Sequence, residues 1–261
     1  MTTILRIARY GMRDLVRSRW LVAYGAFFLV ATYALLQFSD SETKALLSLV
    51  NVVLLVVPLA NIVFGAMYLY ASREFVELLL SQPVKRSQLF AGQCIGLAVP
   101  VAGAAVLGIL VPLFLTGAGG ATVGTGIWIA IIAATLSLVF TALATVVAYG
   151  IEDRVRGLAA AIGVWLALAV IYDAIVLMAA MRFADYPLEK AMLAAMIANP
   201  IDLARLFLLT QFDTAALLGY TGAVFHRFFG GAGALVALIA VLLWVALPAV
   251  LGARLFHRKD F

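Results

Sequence analysis

SREFVELLLSQPVKRSQLFAGQ, residues 72–93, is a charged and amphipathic island between two long apolar runs. Phe75, Leu78 and Leu79 fall at helical spacing on one face, with Glu74, Glu77 and Ser81 opposite. Pro83 ends that helix, since proline lacks the N–H and crowds the preceding turn. Lys85 and Arg86 follow, and Ser87 is placed to cap a second helix. A short polar elbow between two apolar runs is what a membrane subunit presents to a soluble partner. The flanking runs then read as two spans joined outside the bilayer.

The bulk composition agrees. Of 261 residues, 66% are hydrophobic and 12% charged, and the mean hydropathy is +1.12. A soluble domain carries about 25% charged residues. This chain has too much apolar surface to hide, so its solvent is lipid. A single cysteine, Cys94, excludes a disulfide framework. The net charge of +5 is no nucleic-acid footprint, and no nucleic-acid partner is expected. In a membrane protein the position of the charges matters more than their sum.

A spanning helix needs roughly 20 apolar residues. Six stretches qualify: Leu21–Phe38, Ala45–Ala71, Ile95–Leu115, Val123–Tyr149, Leu158–Met181 and Gly233–Ala253. With the N-terminus inside, the five arginines before Trp20, then Arg73, Lys85, Arg86, Arg154, Arg156, Arg254, Arg258 and Lys259 are cytoplasmic. Only Lys44, Arg182, Lys190, Arg205 and Arg227 face out, four of them in one long loop where the charge rule counts for less. Both termini are therefore expected in the cytoplasm.

Residues 1–20 form a basic amphipathic helix, expected to lie in the inner-leaflet interface. Ile4, Ile7, Ala8 and Leu15 take one side, and Arg6, Arg9, Arg13 and Arg17 the others. The apolar run that follows is long for a secretory signal and lacks a clean small-x-small site, so it is expected to be a retained span. Gly92-x-x-x-Gly96, opening the third span, favours close helix packing. TGAGGATVGTG, residues 116–126, lacks the Gly-Lys-Ser/Thr ending of a phosphate loop and no strand precedes it, so a flexible hairpin is expected there.

No catalytic constellation emerges. The two histidines, His226 and His257, fall on opposite sides of the membrane by this topology. One ionisable residue lies inside a span: Asp173, about midway along Leu158–Met181. A mid-bilayer carboxylate costs about 2.5–3.5 kcal/mol on insertion scales, so it faces protein or water. It is either a transport-path or coupling residue, or a structural hydrogen-bond partner of a helix carrying Asn51 or Asn61.

Residues 182–232 form an outer loop of about 50 residues, far longer than the other two outer loops. Pro187–Ala198 has helical character, Asn199-Pro200-Ile201-Asp202 breaks it, and Leu203–Leu209 resumes too briefly to span. Re-entrant or interfacial helices buried against protein would satisfy that backbone. Met192 and Met196 stand four apart, with Met178 and Met181 close in sequence. Thioethers suit Cu(I), although methionine is also ordinary packing material.

Six spans, an N-terminal amphipathic helix, an elbow after the second span and short outer helices before the sixth resemble the type-2 (ABC-2) family of ATP-binding cassette permeases. The segment from Glu77 to Gln93 is similar to that family's ELLLS-P-x-x-R stretch, and Arg254–Phe261 to its tails. Asn199–Leu206, Thr210–Thr214 and Gly219–Gly222 are similar to a narrower branch. Its members serve assemblies that mature the copper–sulfur centre of nitrous oxide reductase. The chain departs from that branch at Ala204, Leu208 and Leu209, where more polar residues are expected.

The resemblance implies one permease domain over residues 1–261, a homodimer in the bacterial inner membrane, and no enzyme activity in this chain. It implies a separate cytoplasmic ATPase that binds ATP and Mg, coupled through Glu74, Phe75, Glu77, Leu78, Pro83, Lys85 and Arg86. It implies a periplasmic β-helical partner read by Asn199, Pro200, Asp202 and Arg205. Two alternatives remain, a general type-2 exporter of drugs or lipids and an ion-coupled secondary transporter. The second rests on Asp173 alone, because the two halves of the chain show no similarity.

Overall fold

The computed structural model describes residues 3–183, 189–212 and 232–259, and within them every regular element is helical. In chain order these are α1 (Thr3–Val16), α2 (Arg19–Phe38), α3 (Glu42–Ala71), α4 (Arg73–Leu80), α5 (Arg86–Leu115) and α6 (Gly120–Gly150). Then come α7 (Arg154–Leu166), a π-helical turn at Ala167–Ile171, α8 (Tyr172–Arg182), α9 (Glu189–Ile197), α10 (Pro200–Thr210) and α11 (Ala232–Arg258). Among the described residues six helices are long and apolar enough to cross a membrane: α2, α3, α5, α6, α7 continued by α8, and α11; the bent pair α9 and α10 passes the same test only when taken together. This is the expected number in the expected order.

Their ends run past the apolar stretches. The third begins at Arg86 rather than Ile95, and the fifth at Arg154 rather than Leu158. Hydropathy marks where lipid begins, whereas backbone hydrogen bonding continues into polar first turns. Ser87 is consequently not a cap: the Lys85 carbonyl accepts the first bonds, from the N–H groups of Gln88 and Leu89, and Ser87 sits inside the opening turn. Likewise, residues 120–126 of the glycine-rich stretch belong to α6, leaving only Thr116–Gly119 as the hairpin. Gly117 takes the left-handed φ of +66° that closes this turn.

α3 and α6 form the centre, with α5 against α6 and α2 outside α5. Between helices in lipid there is little hydrophobic drive, so close approach through small residues supplies the contact energy. A Cβ on Gly65 of α3 would stand 2.7 Å from the Cβ of Ala144 on α6. One on Gly108 of α5 would stand 2.6 Å from the Cβ of Phe28 on α2. Phe28, Ile62, Ile109 and Phe140 fill the buried seams. Asn61 is buried among them, and its amide donates to the Tyr24 hydroxyl (3.3 Å) and to Val57 O (2.6 Å).

α1 spends its apolar side on protein. Ala8 and Gly11 are buried, and Gly92 and Gly96 of α5 are the seat: a Cβ on Gly92 would strike Ile7 at 2.8 Å, and one on Gly96 would strike the Ala8 carbonyl at 3.1 Å. The Gly-x-x-x-Gly pair therefore binds the N-terminal helix, with Leu5 and Tyr10 left exposed.

At the bundle end opposite α4, α9 and α10 meet at a bend of 111°. The break is narrower than expected. Asn199 is the N-cap and Pro200 the first helical residue, a position where its missing N–H costs nothing. Asp202 thus lies on the helix and not in the break.

Candidate coupling site

At one end of the bundle, α4 lies across the gap between α3 and α5. Val76 is its buried residue, Phe75, Leu79 and Leu80 are half-buried, and Phe75 stacks on Tyr10 of α1 with ring centroids 5.0 Å apart. Glu74, Glu77, Leu78 and Ser81 occupy the exposed arc, with Leu78 62% exposed, and Pro83 and Lys85 are exposed beyond it. Leu78 therefore lies on the exposed arc with Glu74 and Glu77, at its edge, about 60° around the helix from Phe75. Val76 is at the centre of the packed side, with Phe75, Leu79 and Leu80 around it, because the helix packs against its own chain.

Both ends of this elbow are fastened by arginine. The last turn of a helix leaves carbonyls without intrahelical partners, and cations complement its dipole. Arg73 donates to Glu152 O (2.7 Å), Ala148 O (3.0 Å) and Ile151 O (3.1 Å) where α6 ends. Its guanidinium lies 4.5 Å from the centroid of the Tyr70 ring, and the Tyr70 hydroxyl donates to Ile151 O at 3.0 Å. Arg86 donates to His257 O (3.0 Å) and Lys259 O (2.9 Å) where α11 ends. Gln93 completes the anchorage: Oε1 accepts from the Tyr149 hydroxyl (2.7 Å) and Nε2 donates to Ser72 Oγ (3.3 Å). Burial, together with the Arg73 charge, lowers the pKa of Lys259 against the pull of Glu152.

α7 leaves this end packed on α3 so closely that a Cβ on Gly157 would stand 1.8 Å from the Tyr70 hydroxyl. Further along, Trp165 Nε1 donates to Leu55 O at 3.2 Å. Then comes the π turn. The Tyr172 N–H bonds Ala167 O, five residues back, so Leu168 O is freed from the regular ladder and accepts from Asn199 Nδ2 at 2.7 Å.

Asp173 follows directly, 35% exposed, and accepts from Arg205 Nη1 at 3.0 Å. The same nitrogen reaches Asp202 Oδ1 at 3.0 Å, and Asn199 Nδ2 donates to Asp202 Oδ2 at 3.0 Å. The Asn199 side chain also accepts from the Ile201 N–H (3.0 Å), and the Tyr172 hydroxyl donates to Ala195 O (2.7 Å). Asn199, Asp202 and Arg205 are thus gathered on Asp173, and Leu168 to Asp173 hold both arms of the bent pair. Asp173 does not meet Asn51 or Asn61: Asn51 bonds Leu47 O within its own helix, and Asn61 is committed to Tyr24 and Val57. It also lies past mid-span, about 28 Å along the helix from Arg154 at 1.5 Å per residue.

The other face of α10 is apolar. Pro200, Leu203, Ala204 and Phe207 line a cleft of about 310 Å3 against α6 and α11, where Phe207 meets Trp128 edge-on at 5.2 Å. Met192 and Met196 are half-buried on α9, while Met178 and Met181 are exposed on α8. Residues 213–222, which carry part of the outer-loop resemblance, lie outside the described residues, as do His226 and Arg227. The sequence reading missed Arg73 and Asn199–Leu168 as fasteners. The three-residue spacing of Tyr70 and Arg73 was a signal for the first; a π turn leaves no comparable mark.

The chain matches the model of the ABC-2 family transporter protein over residues 5–261. It is 25% identical to the probable ABC transporter permease protein NosY of Pseudomonas aeruginosa over 284 residues, covering 99% of each chain. It is 24% identical to the protein of the same name from Stutzerimonas stutzeri over 277 residues, covering 98% of this chain and 96% of that one. With a match of this extent, the chain belongs to the ABC-2 family of membrane transporter permeases.

Proposed function

We propose that this chain is the NosY-like permease of an ATP-binding cassette assembly, driven by a separate ATPase docked at the elbow. In this reading the elbow end is cytoplasmic, and α9 and α10 face a β-helical periplasmic partner. ATP-driven closure pushes α4, and the rigid spans carry the displacement across the bilayer. The output is that motion, or a sulfur-containing cargo, used in maturing the copper centre of nitrous oxide reductase.

The observation that carries the reading is continuity. Arg73 grips the α6–α7 junction and Arg86 the end of α11. α7 and α8 lead to Asp173 and Arg205, and α11 packs on α10 through Ala237, Ala240 and Leu203. Both routes from the elbow end on α10, which is the arrangement that coupling between distinct sites needs. A homodimer fits the exposure: 6% of the α7–α8 span is buried within the protomer, against 56% of α6.

The test is genetic and biochemical. A strain lacking the chain is expected to accumulate nitrous oxide reductase without its copper–sulfur centre, and the tagged chain to capture an ATPase subunit and a periplasmic protein. A fully matured reductase with lost drug or lipid export would support the general exporter instead.

A further inference from the structure

A second cleft, of about 250 Å3, opens at the elbow end between the α1–α2 break, α3 and α5. Its walls are apolar, built from Leu21, Phe64, Leu97 and Val101, and a single charged residue, Arg154 at the start of α7, closes it. Ser18 of the break also lines it, and Arg17 and Arg19 flank that serine. All three arginines are exposed, and among the described residues none of them makes an ion pair. Trp20 lines the cleft too, with its ring 5.8 Å from Phe64.

We propose that this cleft binds one anionic phospholipid, its phosphate held by Arg154 with Arg17 and Arg19, and an acyl chain against Phe64, Leu97 and Val101. A free phosphate would leave the apolar walls unused, and a zwitterionic lipid would bring no net charge to three guanidinium groups. Tryptophan beside arginine at the start of a span marks the headgroup level. Basic pockets between spanning helices on the cytoplasmic side take anionic headgroups for this reason. At about 250 Å3 the cleft is smaller than the usual range of about 300–1,000 Å3 for enclosed ligands, so it grips a segment of one chain. The bound lipid touches the α1–α2 break and the first turn of α7. It therefore sets the spacing of two elements beside the elbow.

The purified full-length chain, delipidated in detergent, is offered equal amounts of dioleoyl phosphatidylglycerol and dioleoyl phosphatidylcholine, and its adducts are weighed by native mass spectrometry. Retention should favour phosphatidylglycerol by about fivefold for each arginine engaged. Arg154→Gln should lower that preference about fivefold, since one surface arginine is removed. Ala71→Phe, which fills the cleft from the exposed end of α3, should lower retention of both lipids. Excess inorganic phosphate should leave the adduct in place. Equal retention of the two lipids, an adduct unchanged in both variants, or full displacement by phosphate would overturn the proposal. If Arg154→Gln does not fold, the lipid preference of the parent chain and the Ala71→Phe result still decide. The ATPase association of each variant is measured alongside, so that loss of the lipid and loss of the partner are separate results.

Discussion

Arg205 on α10 donates to Asp173 on α8 at 3.0 Å, and through the same nitrogen to Asp202, its neighbour one turn earlier. A single guanidinium thus sits between a carboxylate of a spanning helix and one of the bent pair. Asp173 and Arg205 are each more than one-third exposed, whereas the Asp202 side chain is 7% exposed. The cross-helix bond is consequently modest, of order 1 kcal/mol. Asp202, by contrast, depends on Arg205 to offset its burial. A link of that strength adds modestly to the hold that the Asn199 bond to Leu168 O already gives α10.

This asymmetry fixes an order of effects. Asp173→Asn removes one charge and leaves Arg205 on Asp202, so it should cost about 1 kcal/mol or less, with near-normal abundance and reduced function. Arg205→Ala leaves Asp202 buried beside Asp173 without its cation and should cost more, about 2–3 kcal/mol after allowing for partial exposure. Thermal melts of the purified variants read both values, and the opposite order would contradict the geometry.

Asn199 serves the bend as N-cap of α10 through Oδ1 and as donor through Nδ2, to the carbonyl freed by the π turn and to Asp202 Oδ2. Asn199→Ala should cost about 1–2 kcal/mol. Asn199→Asp should recover the cap but neither bond made by Nδ2, because a carboxylate cannot donate to Leu168 O or to Asp202 and repels the latter. Hydrogen exchange of the Ile201 amide separates the two roles: protected in Asn199→Asp, fast in Asn199→Ala.

Arg86→Ala should loosen the end of α11 by freeing two carbonyls, at a cost of about 1–2 kcal/mol. The readout is earlier proteolytic trimming after Arg254, with ATPase association retained. A tail as resistant as the parent's would show that Arg86 is not its fastener.

Met192→Leu with Met196→Leu keeps volume but removes sulfur, so stability should change by less than about 1.5 kcal/mol and reductase maturation should stay near the parent level. Loss of maturation with normal abundance would reinstate the thioethers as copper contacts.

Much of this fold was legible because lipid imposes one strong rule, that long apolar runs become helices. Six runs gave six spans, and the stretch that forms α4 was visible as charge between two of them. The boundaries were not legible, since α5 continues well beyond its apolar part on backbone bonds that hydropathy does not record. The far site was half legible. Asn199, Pro200, Asp202 and Arg205 stood out by residue type, and Asp173 by its cost in a span. That all of these but Pro200 form one cluster depends on the 111° bend and on a π turn within Ala167–Ile171, a run of unremarkable apolar residues. On α4 the periodicity gave the helix but not the buried side, because Leu78 and Val76 are both apolar and only tertiary packing chooses between them.

The central claim is that motion at the elbow reaches α9 and α10, and site-directed labelling tests it most directly. With Cys94→Ser as background, Ala194→Cys places a thiol at an exposed position of α9. The assembly of chain and ATPase, reconstituted in liposomes, is reacted with a maleimide with and without ATP. The account predicts an ATP-dependent labelling rate that becomes ATP-independent in Leu78→Asp while the ATPase still hydrolyses ATP. A rate indifferent to ATP in the parent, or an ATP response that survives Leu78→Asp, would contradict it.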